Sequence, residues 1–114
     1  MKLFTATMTA RDALIGALER FLARFDALLC PVTVGPAIPH CPAGTPVQVD
    51  DRTVPYWMGG LAYTGPFNVT GHPVVVMPLS RSEEGLPIGV QVVGRRWEEM
   101  KLLAVAEAIE RVRV

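Results

Sequence analysis

The chain has 114 residues, half of them hydrophobic, and its 11 basic and 11 acidic residues leave no formal net charge. That excludes intrinsic disorder, which needs low hydrophobicity and high net charge. It also excludes nucleic-acid binding by bulk charge, which draws its affinity from counterion release.

The N-terminal MKLFTATMTA carries one lysine and a broken apolar stretch, short of the roughly 7–15 apolar residues of a signal peptide. No apolar run approaches the ~18 residues of a membrane span. The expectation is a soluble cytoplasmic protein that engages neither membrane nor nucleic acid. Asn68-Val69-Thr70 matches a glycosylation sequon, which means little without a secretory signal. Two cysteines, Cys30 and Cys41, are too few for a disulfide scaffold and are expected as free thiols.

From Thr9 to Phe25 the spacing predicts a helix, with Leu14, Leu18, Phe21, Leu22 and Phe25 on one face. Thr9 and Asp12 form a loose capping box that would start it. Residues 27–31 then read as a short strand stopped by Pro31. Six prolines between Pro31 and Pro55, with little periodicity, predict a long loop over 31–55. Loops of that length are uncommon in compact domains and are often functional. Residues 56–63 read as a short helix or turn. Valine-rich runs predict strands at 73–79 and 87–93, and the short polar connection between them favours an antiparallel hairpin. A second amphipathic helix follows at 98–111, with Leu102, Leu103, Val105, Ala106 and Ile109 on its apolar side. The fold class is α/β, with helices packed on a small mixed sheet. Strands apolar without alternation are buried on both faces, and two helices cover only one.

No residue constellation here amounts to an active site. Ser80 and Ser82 lie in the polar hairpin turn, Lys2 at the terminus and Lys101 on a helix surface. Cys30, with His40 or His72 as base, is a thiol-nucleophile candidate set against the commoner buried, inert cysteine. Cys30, His40, Cys41 and His72 lack the C-x-x-C or H-x-x-x-H spacing of a metal site. Arg95-Arg96 could hold an anion, although such pairs more often bridge neighbouring acids. No phosphate-binding glycine motif occurs.

The segment Phe67-Asn68-Val69-Thr70-Gly71-His72-Pro73 through Leu79 is more specific. It continues as Gly85-Leu86-Pro87-Ile88-Gly89-Val90-Gln91-Val92-Val93-Gly94, then Arg95-Arg96-Trp97-Glu98-Glu99 and the Leu102-Leu103 helix. Read physically, these residues build a scaffold. Gly71 serves a tight turn into a strand that opens at Pro73, Gly85 closes the hairpin, and Gly89 marks a bulge or a close backbone approach. In order and spacing the segment resembles the C-terminal portion of the amidase signature family. Phe25 through Val32 is similar to that family's strand leading into its proline-rich loop. The resemblance implies a larger α/β/α sandwich and amide hydrolysis by a Ser–cis-Ser–Lys triad, with no cofactor and no metal. The residues carrying that triad match no position here, so no catalytic residue is expected in this chain. It reads as a C-terminal fragment, residues 1–114, inactive alone and prone to self-association. Its partners would be the remainder of an amidase chain and, in the intact enzyme, a small-molecule amide. The resemblance also makes Tyr56, Trp57 and Tyr63 candidates for substrate contact. The alternatives are a glutaminase subunit of a tRNA-dependent amidotransferase and a stand-alone, non-catalytic binding or assembly module.

Overall fold

A computed structural model describes residues 1–112; the last two residues of the expected unit lie outside the described residues. In chain order the elements are α1 (Lys2–Leu22), β1 (Leu28–Pro31), β2 (Val47–Val49), β3 (Arg52–Val54), α2 (Tyr56–Leu61), α3 (Gly65–Thr70), β4 (Val74–Arg81), β5 (Pro87–Val93) and α4 (Glu99–Val112). The α/β class is as expected. The main sheet has the order β1-β5-β4, and both of its pairings are antiparallel, including the β4–β5 hairpin.

Antiparallel partners share a face, so the register sorts the side chains. Leu29, Val92 and Val75 lie on one face with Val90 and Met77; Cys30, Gln91 and Val76 lie on the other. On the first face Met77, Val90 and Val92 pack with Leu102 and Ala106 of α4 into the buried core. β5 is the strand buried on both faces, with Val90, Gln91, Val92 and Val93 all buried in succession. β4 is not: Val76 is 58% exposed. The molecule is a plate of 43 × 42 × 20 Å with a radius of gyration of 16.4 Å. A compact chain of this length would measure about 13 Å. The apolar excess in the composition is therefore carried on the surface.

Several expected boundaries move. α1 starts at Lys2, seven residues before Thr9, and ends at Leu22 rather than at residue 25. Thr5, Thr7 and Thr9 donate their hydroxyls to carbonyls one turn back, at Met1, Leu3 and Thr5, so Thr9 is an interior residue and no cap. The expected loop 31–55 contains a hairpin, β2–β3, turning at Asp50-Asp51 with Asp50 at φ 51°. Three-residue strands are too short for alternation to register, and an Asp-Asp pair lacks the glycine that marks a two-residue hairpin turn. Residues 65–70 form α3, in which Asn68 Nδ2 donates to the Thr64 carbonyl. Gly71 closes that helix in the left-handed region at φ 69°, where a side chain would be strained. The bulge expected at Gly89 lies across the ladder, between Pro78 and Ser80 of β4.

Candidate functional site

Two constellations stand out, a groove and a polar cluster. The proline-rich segment 33–39 runs beside the β2 strand and α2 and encloses a groove of about 680 Å³. Pro55 opens α2, with the Met58 N–H on its carbonyl at 2.9 Å. Gly59 lets the helix lie against β2, because a Cβ there would meet Val47 Cγ2 at 3.2 Å. Ile38, Val47, Val49, Trp57 and Leu61 contribute apolar walls. No Asp, Glu, Lys, Arg or His side chain among the described residues lines the groove. Tyr56 and Trp57 border it, with Trp57 60% exposed and available to a ligand.

Tyr63 is not brought to the groove. Its carbonyl accepts from Gln91 Nε2 at 2.9 Å, and the same amide nitrogen donates to the Pro31 carbonyl at 2.8 Å. Gln91 thereby pins the start of the proline-rich segment to the chain between α2 and α3. A buried amide donating to two backbone carbonyls contributes order, which suits the walls of a binding groove.

The polar cluster centres on Glu19 of α1. Its Oε1 lies 3.1 Å from His72 Nε2 and accepts the Arg96 N–H at 3.1 Å, while its Oε2 faces Arg95 Nε at 3.4 Å. The His72 side chain is fully buried, and its Nδ1 lies 2.9 Å from Thr70 Oγ1. Its Nε2 is close to Glu19 but out of line for a hydrogen bond, and the two carry opposite charges only when the imidazole is protonated. Burial pushes the His72 imidazole below its ordinary value, and the Arg96 charge adds to that against the pull of Glu19. Burial works to raise the Glu19 carboxyl, but the Arg96 N–H, the Arg95 guanidinium and His72 outweigh it and hold it low. Arg95 also pairs with Glu98, and Arg96 lies over the Trp97 ring at 5.5 Å. Arg95 therefore bridges local acids, the commoner of the two roles expected of the pair, whereas the Arg96 guanidinium lies over Trp97 and only its backbone N–H meets an acid. This cluster is not legible in the spacing of its residues. Its one signal is a glutamate three residues before Leu22, the buried residue of α1.

The thiol reading loses its geometry. His72 faces Glu19 and Thr70, His40 lies exposed in the loop, and burial pushes the Cys30 thiol up against the opposing Gln91 bond. A protonated thiol is a poor nucleophile. Among the described residues no group of His, Cys, Asp and Glu is placed to hold a metal ion. Ser82 is used by the hairpin, accepting the Leu86 N–H at 3.2 Å, and Lys101 pairs with Asp26 at 3.0 Å. No helix among the described residues is long and apolar enough to cross a membrane.

Known proteins resemble this chain in both sequence and fold. A glutamyl-tRNA(Gln) amidotransferase subunit from Pseudothermotoga lettingae is 32% identical over 108 residues, covering 95% of this chain and 21% of the relative. The 6-aminohexanoate-cyclic-dimer hydrolase of Paenarthrobacter ureafaciens is 35% identical over 101 residues, covering 83% of this chain and 20% of the relative. A crystal structure of an amidase superposes with a TM-score of 0.82 at 32% identity, covering 99% of this chain and 25% of that one. The chain thus spans about a fifth to a quarter of the length of these three proteins. The Amidase family model matches residues 1–103, nearly the whole of a plate built on the Gly71-His72-Pro73 turn and the β4–β5 hairpin. The chain belongs to the amidase signature family.

Proposed function

We propose that this chain supplies the C-terminal scaffold of an amide hydrolase, and that its groove receives the apolar part of an uncharged amide. The observation that carries this reading is the groove wall, apolar and free of charged side chains. A volume of about 680 Å³ falls within the range of small-molecule sites. A free glutamine, with an ammonium and a carboxylate to desolvate, would be a poor guest in such walls. That favours a general amidase over the glutaminase subunit of an amidotransferase. Tyr56 and Trp57 make the substrate contact, and the Tyr63 carbonyl, tied through Gln91 to Pro31, steadies the start of the proline-rich segment. The Ser–cis-Ser–Lys triad belongs to the remainder of an amidase chain, which covers the apolar surface of the sheet around Val76, on the face away from α4. The isolated chain, in the cytoplasm or in vitro, self-associates through that surface and hydrolyses nothing.

Trp57 fluorescence in a Trp97→Phe background tests the groove, with hexanamide and glutamine as probes. A saturable response to hexanamide, lost in Trp57→Ala by another detection method and absent with glutamine, supports the reading. Saturation by glutamine alone supports the glutaminase alternative. No response to either probe supports the stand-alone assembly module. Sedimentation showing a clean monomer would overturn the self-association. Amide turnover by the isolated chain that is abolished in Cys30→Ala would restore the thiol nucleophile.

A further inference from the structure

The hairpin in the proline-rich region parts two cavities. β2 gives Val47, Gln48 and Val49 to the groove, and β3 gives Thr53 and Val54 to a second cavity of about 530 Å³. Val47 pairs with Val54 and Gln48 with Thr53 across the ladder, so each cavity takes one strand of the same hairpin. Tyr56 and Trp57, in the first turn of α2, line both. They form a ridge with a hollow on either side.

The second cavity is as free of charge as the groove. Gly44, Pro46 and Pro55 complete its walls, and no Asp, Glu, Lys, Arg or His side chain among the described residues lines it. Its rim is stiff. The Thr45 N–H and hydroxyl both close on the Pro42 carbonyl, at 3.1 and 2.7 Å, and Gly44 takes the left-handed φ of 89°. The Thr53 hydroxyl donates to Gln48 Oε1 at 3.0 Å, which ties the two strands together at the divide. The Tyr56 hydroxyl and the Trp57 indole N–H meet no partner among the described residues, so the ridge keeps two donors for a ligand.

We propose, on the reading of the groove as a substrate site, that the two cavities are halves of one site whose ligand is a secondary amide with an uncharged apolar group on each side. Spacing selects the link. Neighbouring strands lie about 4.8 Å apart, and the two carbons that flank a trans amide lie about 3.8 Å apart. One amide therefore steps from the β2 side to the β3 side, with one arm in the groove and the other in the second cavity. Its carbonyl lies over the ridge, within reach of the Tyr56 or Trp57 donor. A primary amide leaves one cavity empty, and a charged arm on either side would lose its water without gaining a partner.

Titration of Trp57 fluorescence in a Trp97→Phe background compares hexanamide with N-butylhexanamide. The secondary amide should bind about tenfold more tightly, which corresponds to burial of about two of its four added carbons. In the unaltered chain, NMR should show contacts from the methyl of one arm to Val47 and from the methyl of the other to Val54. Val54→Asp should narrow the difference between the two amides to less than about twofold. Equal affinities before that substitution overturn the proposal, as do both methyls meeting Val47 alone or Val54 alone. Hexanamide that still saturates then leaves the groove reading standing, whereas saturation by neither amide removes both readings. Should Val54→Asp fail to fold, the methyl contacts in the unaltered chain decide.

Discussion

The two long helices carry the same amphipathic signal and meet different fates. α4 spends its apolar face on the sheet, and Leu102 and Ala106 are buried against Met77, Val90 and Val92. α1 buries Leu22 alone on the corresponding face, while Leu14, Phe21 and, in the turn that follows, Phe25 stay between 45% and 49% exposed. Periodicity reports that a face needs a partner, but it does not report that the partner lies within the same chain. In a chain spanning about a fifth of its relatives, the difference marks which face is closed and which is open.

Leucine truncations in the two helices break or sharpen that contrast. Leu102→Ala should cost about 2–5 kcal/mol in chemical denaturation, the usual range for a buried leucine. Leu14→Ala should cost under about 1 kcal/mol, since the side chain stays partly in water. Equal losses would mean that α1 is covered in solution by a surface the plate does not itself supply.

The polar side of the contrast comes next. Glu19→Ala should cost about 1–3 kcal/mol, because it strips the Arg96 N–H and the Arg95 guanidinium of their acceptor. Its effect should appear as lost α1 ellipticity ahead of any loss of Val92 amide protection. Acid provides the third test. His72 and Glu19 both have lowered folded values, so each stabilises the folded chain above its ordinary value and loses that contribution as pH falls. Denaturation midpoints should decline first below pH 6.5, through His72, and again below 4.5, through Glu19. His72→Gln should remove the first decline and leave the second.

The smallest effect is expected at Trp97. The ring is 83% exposed and its backbone stands at φ 68°, which is costly for a bulky residue. Trp97→Gly relieves that strain and loses the Arg96 stacking, two opposed contributions of about 1 kcal/mol each. The measured stability should therefore change by less than about 1 kcal/mol.

What can be read from the residues follows a physical boundary. β5 and α4 are legible to within a residue because uninterrupted valines and a long apolar period are local signals. The hairpin at 47–54 and the α3 helix are not, since each element is six residues or fewer and takes its shape from turns. The start of α1 is misplaced because threonine hydroxyls serve a cap and a helix interior equally well. Trp57 is singled out by resemblance alone, and the groove it borders depends on Gly59 allowing α2 against β2. The Glu19–His72 cluster joins residues 53 positions apart, and no spacing rule connects them.

The bulge in β4 bears on how this protein behaves in a concentrated solution. β4 lies at the edge of the sheet, and a long valine-rich edge is a template on which strands of other molecules stack into fibres. Here the template is interrupted. From Val74 the pairing with β5 runs to Pro78, is interrupted by the Pro78–Ser80 irregularity and resumes at Ser80 and Arg81, and Pro78 carries no backbone N–H. An edge interrupted by a bulge and a proline is a poorer template than a straight one, so Pro78→Val should make the β4 edge more prone to fibrillise than in the unaltered chain.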